Sequence, residues 1–237
     1  MRLDKFLVTV GIGTRKEVKS LIKQKRVSVN GQIAKQNDCH IDEYLDTVCL
    51  DDSALVYKKY VYVMLHKPQG VVSATEDAKD RTVLDLLDKS YQSVFPVGRL
   101  DKNTEGLLLL TNDGKLAHDL LSPKKHIDKI YFALLEKNAS HDDILACQQG
   151  VVLDDGYCCM PAKLVISNEQ PNAVHITIQE GKFHQVKRMF QALGNKVIYL
   201  KRESMGTLCL DEKLALGEYR ELTSEELVAL KDLVQQK

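Results

Sequence analysis

The 237-residue chain has no apolar run near the roughly 20 residues that span a bilayer. Its start, MRLDKFLVTV, lacks the long apolar core and small-residue cleavage site of a signal peptide. These absences lead to the expectation of a cytoplasmic protein. It has no Cys-x-x-Cys: six cysteines stand at 39, 49, 147, 158, 159 and 209, with no paired histidine spacing. That pattern excludes a recognisable zinc site or disulfide framework and leaves reduced, mostly packed thiols, with no metal expected. A Gly-x-Gly-x-x-Gly loop, a phosphate-loop lysine motif and internal repeats are also missing, so nucleotide hydrolysis has no visible machinery and no cofactor is expected. Nothing signals an oligomer, which makes a monomer the default.

A net charge is lacking as well, since 33 basic side chains balance 33 acidic ones. The balance hides an asymmetry. Through residue 35 the basic residues are Arg2, Lys5, Arg15, Lys16, Lys19, Lys23, Lys25, Arg26 and Lys35, opposed only by Asp4 and Glu17. The remainder is net acidic, so a neutral total does not argue against a polyanionic partner.

What is present begins with helical spacing. Leu3, Phe6, Leu7 and Val10 follow i, i+3, i+4, i+7, and Gly11 and Gly13 end that helix. Thr14 offers an N-cap and Glu17 completes a capping box. The second helix, to about Lys25, buries Val18, Leu21 and Ile22. Arg15, Lys16, Lys19, Lys23 and Arg26 gather within about 100° on another side. VSVNGQI then reads as a hairpin turning at Asn30-Gly31. The basic stripe is either a solvated face or a phosphate-contacting one. So little acid is interspersed that contact with RNA or DNA is favoured.

A polar, acidic stretch, NDCHIDEYLDTVCLDDS, closes this small unit, which places a boundary near residue 59. Beyond it, YVYVMLHKPQG opens a region of short strands and helices without a regular βαβ repeat. Strands are expected at 93–97, 106–111, 129–136, 151–153, 161–167, 173–179 and 197–202, and helices at 82–88, 115–121, 140–149, 183–193 and 224–234. The fold class is α+β, with a mixed, largely antiparallel sheet.

One stretch crowds charge before four leucines: GRLDKNTEGLLLLTNDG, from Gly98 to Gly114. Val94, Phe95 and Val97 form one strand and Leu107 to Leu110 another, buried on both faces. Asp101 lies in the turn between them. From spacing alone it is a nucleophile, a general base or a turn residue bonding its own backbone, and turn chemistry is the commoner use. Asp113 needs no more than to cap the next helix.

Two resemblances bear on these choices. RLDKFLVTVGIGTRKEVKSLIKQKRVSVNGQ resembles the S4 RNA-binding domain, over about residues 1–59. This implies RNA-backbone contacts for Arg15, Lys16, Lys19 and Arg26, and the same basic block adds Arg2 and Lys23 as RNA-binding candidates. GRLDKNTEGLLLLTNDG resembles the signature of the RsuA/RluA-type pseudouridine synthases, in which the aspartate of Gly-Arg-Leu-Asp is catalytic. LHKPQGVVSA, DKIYFALL, EGKFHQVKRMF and LGEYRELTSEEL resemble further motifs of that family, in order, with His66 where asparagine is usual. A catalytic domain over 60–237 follows, and the domain arrangement is most similar to the small-ribosomal-subunit branch, which isomerises a uridine of 16S rRNA.

The resemblance implies that Asp101 is the nucleophile, Tyr131 the aromatic that packs on the flipped base, and Lys187 the cation beside Asp101. Related branches carry an arginine at the Lys187 position; lysine keeps the charge without the planar fork. Arg99 is implied as a phosphate contact or loop support, and Arg188, on the same helix side as Lys187, as a second substrate contact. His184 is left outside the catalytic set. Two other readings stay open: a large-subunit 23S rRNA enzyme, or a non-catalytic RNA-binding ribosome-assembly factor. A hydrolase with paired carboxylates would need a second acid, for which Glu105 is the nearest candidate.

Overall fold

The structure, a computed structural model, describes residues 1–91 and 93–236; Gln92 and Lys237, both in the expected second domain, lie outside the described residues. The chain divides into two compact units, Met1–Val61 with Leu87–Val94, and Tyr62–Leu86 with Phe95–Lys237. The short excursion at 87–94 has no periodicity that a sequence could reveal. It joins the first unit at Gly11, where an added Cβ would come within 2.2 Å of the Ser90 Cα.

In the first unit, α1 (Leu3–Thr9) and α2 (Arg15–Lys23) precede β1 (Val27–Val29), β2 (Gln32–Ile33), β3 (Val48–Leu50) and β4 (Ser53–Leu55). The strands form an antiparallel sheet in the order β2-β1-β3-β4. Leu3, Phe6, Leu7, Val18, Ile22, Val27 and Val48 are buried together in one core. The capping box forms as expected: the Thr14 N–H donates to Glu17 at 2.7 Å, and the Glu17 N–H donates back to the Thr14 hydroxyl. Asn30 and Gly31 both have positive φ, +49° and +77°, the signature of a type I′ hairpin turn. The second helix ends two residues before the expected Lys25, which itself turns left-handed.

The second unit holds β5 (Tyr62–Lys67), β6 (Phe95–Pro96), β7 (Glu105–Thr111), α3 (Gly114–Leu121), β8 (Lys129–Leu135), α4 (His141–Gln149), β9 (Lys163–Ile166), β10 (Ala173–Ile178), α5 (Gln185–Ala192), β11 (Val197–Met205), β12 (Leu208–Cys209), β13 (Tyr219–Glu221) and α6 (Ser224–Gln236). The main sheet runs β13-β5-β7-β11-β8-β10-β9, with β6 on β7 and β12 on β11. Every pair is antiparallel except β7 with β11. This is the mixed, largely antiparallel α+β sheet that the strand pattern predicts.

Three local expectations differ. The strand expected at 93–97 is only the two-residue β6, Phe95–Pro96, with Val94 and Val97 outside it. Residues 82–88 make only a 3-10 turn, Val83–Leu86, because the Asp85 carboxylate takes the Thr82 N–H and hydroxyl and closes the segment on itself. At 151–153 there is no strand but an isolated bridge between Val152 and Cys158.

Leucines 107 to 110 are fully buried, as a strand covered on both faces requires. Leu107 and Leu109 meet Leu116, Leu120 and Leu230 of α3 and α6 on one face. The other face carries the site. Register aligns Lys67 with Gly106, Gly106 with Arg202, and Arg202 with Tyr131, so one row crosses β5, β7, β11 and β8. Gly106 is the hinge of that row: its φ is +109°, and a Cβ there would lie 2.1 Å from the Arg202 carbonyl oxygen. No other residue lets the two strands approach so closely.

Candidate active site

Asp101 sits in the turn between β6 and β7, and backbone bonds fix that turn from both sides. The Thr104 N–H donates to the Asp101 carbonyl, and the Gly70 N–H to that of Lys102. The Ser73 hydroxyl donates to the Leu100 carbonyl at 2.9 Å and accepts from the Leu100 N–H at 3.1 Å. Lys67, fully buried at the end of β5, donates to three carbonyls, those of Pro68, Asp101 and Thr104, each at 3.0 Å. Burial pushes its amine down to about 8. Lys67, Ser73 and Thr104 carry no mark in the sequence beyond the Lys-Pro-x-Gly resemblance, because their roles depend on which carbonyls the fold brings near.

The Asp101 carboxylate is 22% exposed and reaches Lys187 Nζ, on α5, at 2.6 Å. Lys187 also donates to Asn103 Oδ1 at 2.6 Å, which ties α5 to the same turn. The Thr104 hydroxyl donates to Asp101 Oδ2 at 3.3 Å, and His184 Nε2 lies 3.5 Å from Oδ1. His184, left out of the catalytic set by the sequence reading, is thus beside the carboxylate. It is left-handed at φ +50° and stacks on Phe183 with ring centroids 3.8 Å apart.

Two adjoining cavities share Asp101, Arg99, Leu100, Lys182 and His184. The larger, about 620 Å³, is also lined by Lys129, Tyr157, Glu180 and Phe183. A nucleoside fits a space of that size. The smaller is lined by Tyr131, Ile178, Val186 and Leu200. Tyr131 is buried on β8, and its hydroxyl has no hydrogen-bond partner among the described residues. Arg99 is exposed and lines both cavities, with no ion pair among the described residues. Glu180, buried, accepts from Tyr157 Oη at 2.7 Å, the Met160 N–H at 2.8 Å and Gln185 Nε2 at 2.7 Å. The bond to Glu180 pushes the Tyr157 phenol up to about 12.

Arg188 is not brought to this cavity. Its guanidinium pairs with Asp154 and Asp155 beside a separate cavity of about 250 Å³. One residue along a helix turns the side chain by about 100°, enough to separate Arg188 from Lys187. Glu105 is engaged too: Tyr199 Oη donates to its Oε2 at 2.6 Å, and burial first, then this bond, raises the Tyr199 phenol.

In the first unit, Arg15, Lys16, Lys19 and Lys23 are exposed and unpaired among the described residues. Arg26 and Arg2 are not bare: Arg26 forks onto Asp51, with Nε at 2.8 Å from Oδ1, and Arg2 pairs with Asp4 at 2.8 Å. Asp51 lies 25 positions from Arg26, so local sequence hides the compensation.

All six cysteines are free; Cys147 and Cys159 are buried, Cys39 and Cys49 half-buried, Cys158 and Cys209 exposed. Among the described residues no helix is long and apolar enough to cross a membrane, and no three His, Cys, Asp or Glu side chains are grouped to hold a metal ion.

With a carboxylate–lysine pair in a nucleoside-sized cavity on this sheet, the comparison with known families is direct. Residues 61–192 match the RNA pseudouridylate synthase family and residues 1–38 the S4 domain, and the chain belongs to that family of RNA-modifying isomerases. It is 50% identical to an uncharacterized RNA pseudouridine synthase of Bacillus subtilis (strain 168), over 98% of this chain and 99% of the relative. It is 42% identical to the ribosomal small subunit pseudouridine synthase A of Vibrio vulnificus (strain CMCP6), over 96% and 98% of the two chains. A solved structure described as a pseudouridylate synthase superposes with a TM-score of 0.69 at 39% identity, covering 97% of this chain and 99% of that one.

Proposed function

We propose that this pseudouridine synthase isomerises a uridine of 16S rRNA in the small ribosomal subunit, with Asp101 as the nucleophile. The observation that carries the site is the 2.6 Å contact between Asp101 and Lys187. A carboxylate nucleophile must be ionised in a partly dry pocket, and an ammonium in contact holds it so. The reaction breaks the N1–C1′ bond, turns the uracil and joins C5 to C1′. It requires neither oxidant nor energy source, so no cofactor takes part.

Tyr131 packs on the extruded base and offsets part of the stacking that the uridine loses. Arg99, at the rim, takes a backbone phosphate. In the S4 domain, the exposed stripe of Arg15, Lys16, Lys19 and Lys23 holds flanking RNA. Likeness over nearly the full length of both chains to enzymes named for the small ribosomal subunit supports that substrate. The protein acts as a cytoplasmic monomer.

The test is isotope release from uridine labelled at C5, using 16S and 23S transcripts and assembly particles. Turnover is expected on small-subunit RNA and is abolished in Asp101→Asn while RNA binding persists. Full turnover by Asp101→Asn would sink the nucleophile assignment. Activity confined to 23S RNA would sink the substrate and leave the chemistry standing.

A further inference from the structure

Two buried lysines serve the same site, and their hydrogen bonds divide them. An ammonium has three N–H donors. Lys67 gives all three to carbonyls of the Asp101 turn. Lys129, 6% exposed, gives one, to the Ile127 carbonyl at 2.9 Å, and its ammonium makes no other hydrogen bond among the described residues. Two donors are therefore unused on a side chain that lines the 620 Å³ cavity with Asp101.

The surroundings add to the anomaly. Lys129 is on the same sheet face as Tyr131, two residues on. Arg202, itself buried, is close enough to disfavour the lysine's charge, and one of its own guanidinium nitrogens, Nη2, is buried without a partner. Asp128 and Glu180 are near enough to favour the Lys129 charge in part, yet among the described residues no carboxylate bonds either group. Buried cations with no anion in contact are costly and are retained where something else brings an acceptor to them.

We propose that Lys129 is a further catalytic residue, donating its unused N–H groups to a carbonyl oxygen of the target uracil. This rests on the reading of the Asp101 cavity as the catalytic one. When N1–C1′ breaks, the bonding pair stays on the uracil ring and is shared with O2 and O4. When C5 takes C1′, displacing the Asp101 carboxylate if it holds the sugar, that pair becomes the new C–C bond. The C5–H pair returns to the ring as the C5 proton leaves to water, and N1 takes a proton from water. If Asp101 first adds to C6, the C5=C6 π pair moves onto O4, and it returns to the ring when the Asp101–C6 bond breaks and frees the carboxylate. On either route a carbonyl oxygen gains charge that it lacks in the bound substrate, and a dry, positioned donor favours that state over the ground state. The uracil reaches Lys129 rather than a phosphate because an extruded base enters deepest, whereas phosphates meet exposed cations such as Arg99 and Lys182 at the rim.

The experiment is single-turnover isomerisation at saturating protein, with RNA affinity measured separately, for Lys129→Met, Lys129→Gln and Asp101→Asn. Lys129→Met is expected to fold with an unchanged or higher melting temperature, to bind RNA within about threefold of the parent, and to slow by about 100-fold. On the unaltered protein, RNA carrying 2-thiouridine or 4-thiouridine at the target identifies the oxygen: one of the two should slow turnover about tenfold, since sulfur is the weaker acceptor. Rates within threefold of the parent in a folded Lys129→Met or Lys129→Gln would overturn the proposal. So would a loss confined to affinity, which marks a phosphate contact, or equal rates on both thio substrates, a readout that needs no variant to fold. An inactive Asp101→Asn beside an active Lys129→Met removes this inference alone. A fully active Asp101→Asn removes the site on which it rests.

Discussion

Lys67 and Asp101 are joined through the backbone: the buried ammonium donates to the Asp101 main-chain carbonyl at 3.0 Å, while a different lysine, Lys187, holds the carboxylate at 2.6 Å. The two cations divide the work. One fixes where the turn is, and the other fixes the charge that the turn presents.

Lys187→Met should leave the fold intact and lower the single-turnover rate by at least about 100-fold, because the carboxylate loses its counter-charge. Lys187→Arg keeps the charge and should recover most of that loss. A Lys187→Met protein at the parental rate would remove the ion pair from the mechanism.

Lys67→Met strands three carbonyls at once. Unfolding in urea at pH 7 should show a loss of about 2–4 kcal/mol, with turnover falling as the Asp101 turn loosens. Equal stability of variant and parent would show that water replaces the ammonium without penalty.

Stability should respond to pH through the buried lysines. Burial lowers both Lys67 and Lys129 to about 8, against roughly 10.4 in an unfolded chain. Between those values the unfolded state binds more protons, so each lysine makes stability rise with pH, by up to about 1.4 kcal/mol per pH unit. The buried thiols of Cys147 and Cys159, pushed up to about 11, act in the opposite sense above their unfolded value near 8.5. The clean readout is the difference between the parent and Lys129→Met, which should grow in the parent's favour from pH 8 to 10. A flat difference contradicts the assignment.

Neutralising Lys16, Lys19 and Lys23 together should weaken RNA binding. The slope of log affinity against log salt should fall by roughly 0.7–0.9 for each phosphate left without its cation. Replacing Arg2 or Arg26, which already face Asp4 and Asp51, should change that slope less. An unchanged slope in the triple variant returns the stripe to a solvated face.

Much of this was legible locally. The Thr14–Glu17 capping box, the Asn30-Gly31 turn and the buried leucine strand are short-range features, and each forms as read. Asp101 was not legible from spacing, which favoured a turn residue; only resemblance to a family raised it. The remainder depends on long-range geometry. The carbonyls that Lys67 binds, the Asp51 that meets Arg26 and the aspartates that draw Arg188 aside come from other elements. So does the Arg202 backbone that requires a glycine at 106. Periodicity reports which face a residue takes on its own element, and is silent on what another element brings to that face.

The row from Lys67 through Gly106 and Arg202 to Tyr131 has a consequence for synthesis. Its members span strands that begin at Tyr62 and end at Met205. At roughly 5–20 residues per second, about 7–30 seconds separate the making of the first strand from that of the last. Through that interval the S4 segment already exists while the sheet beneath Asp101 is missing its central β11. The sheet is therefore completed long after the S4 segment is made, and a chain cut short before Val197 would carry the S4 domain without β11, the strand that joins β7 to β8.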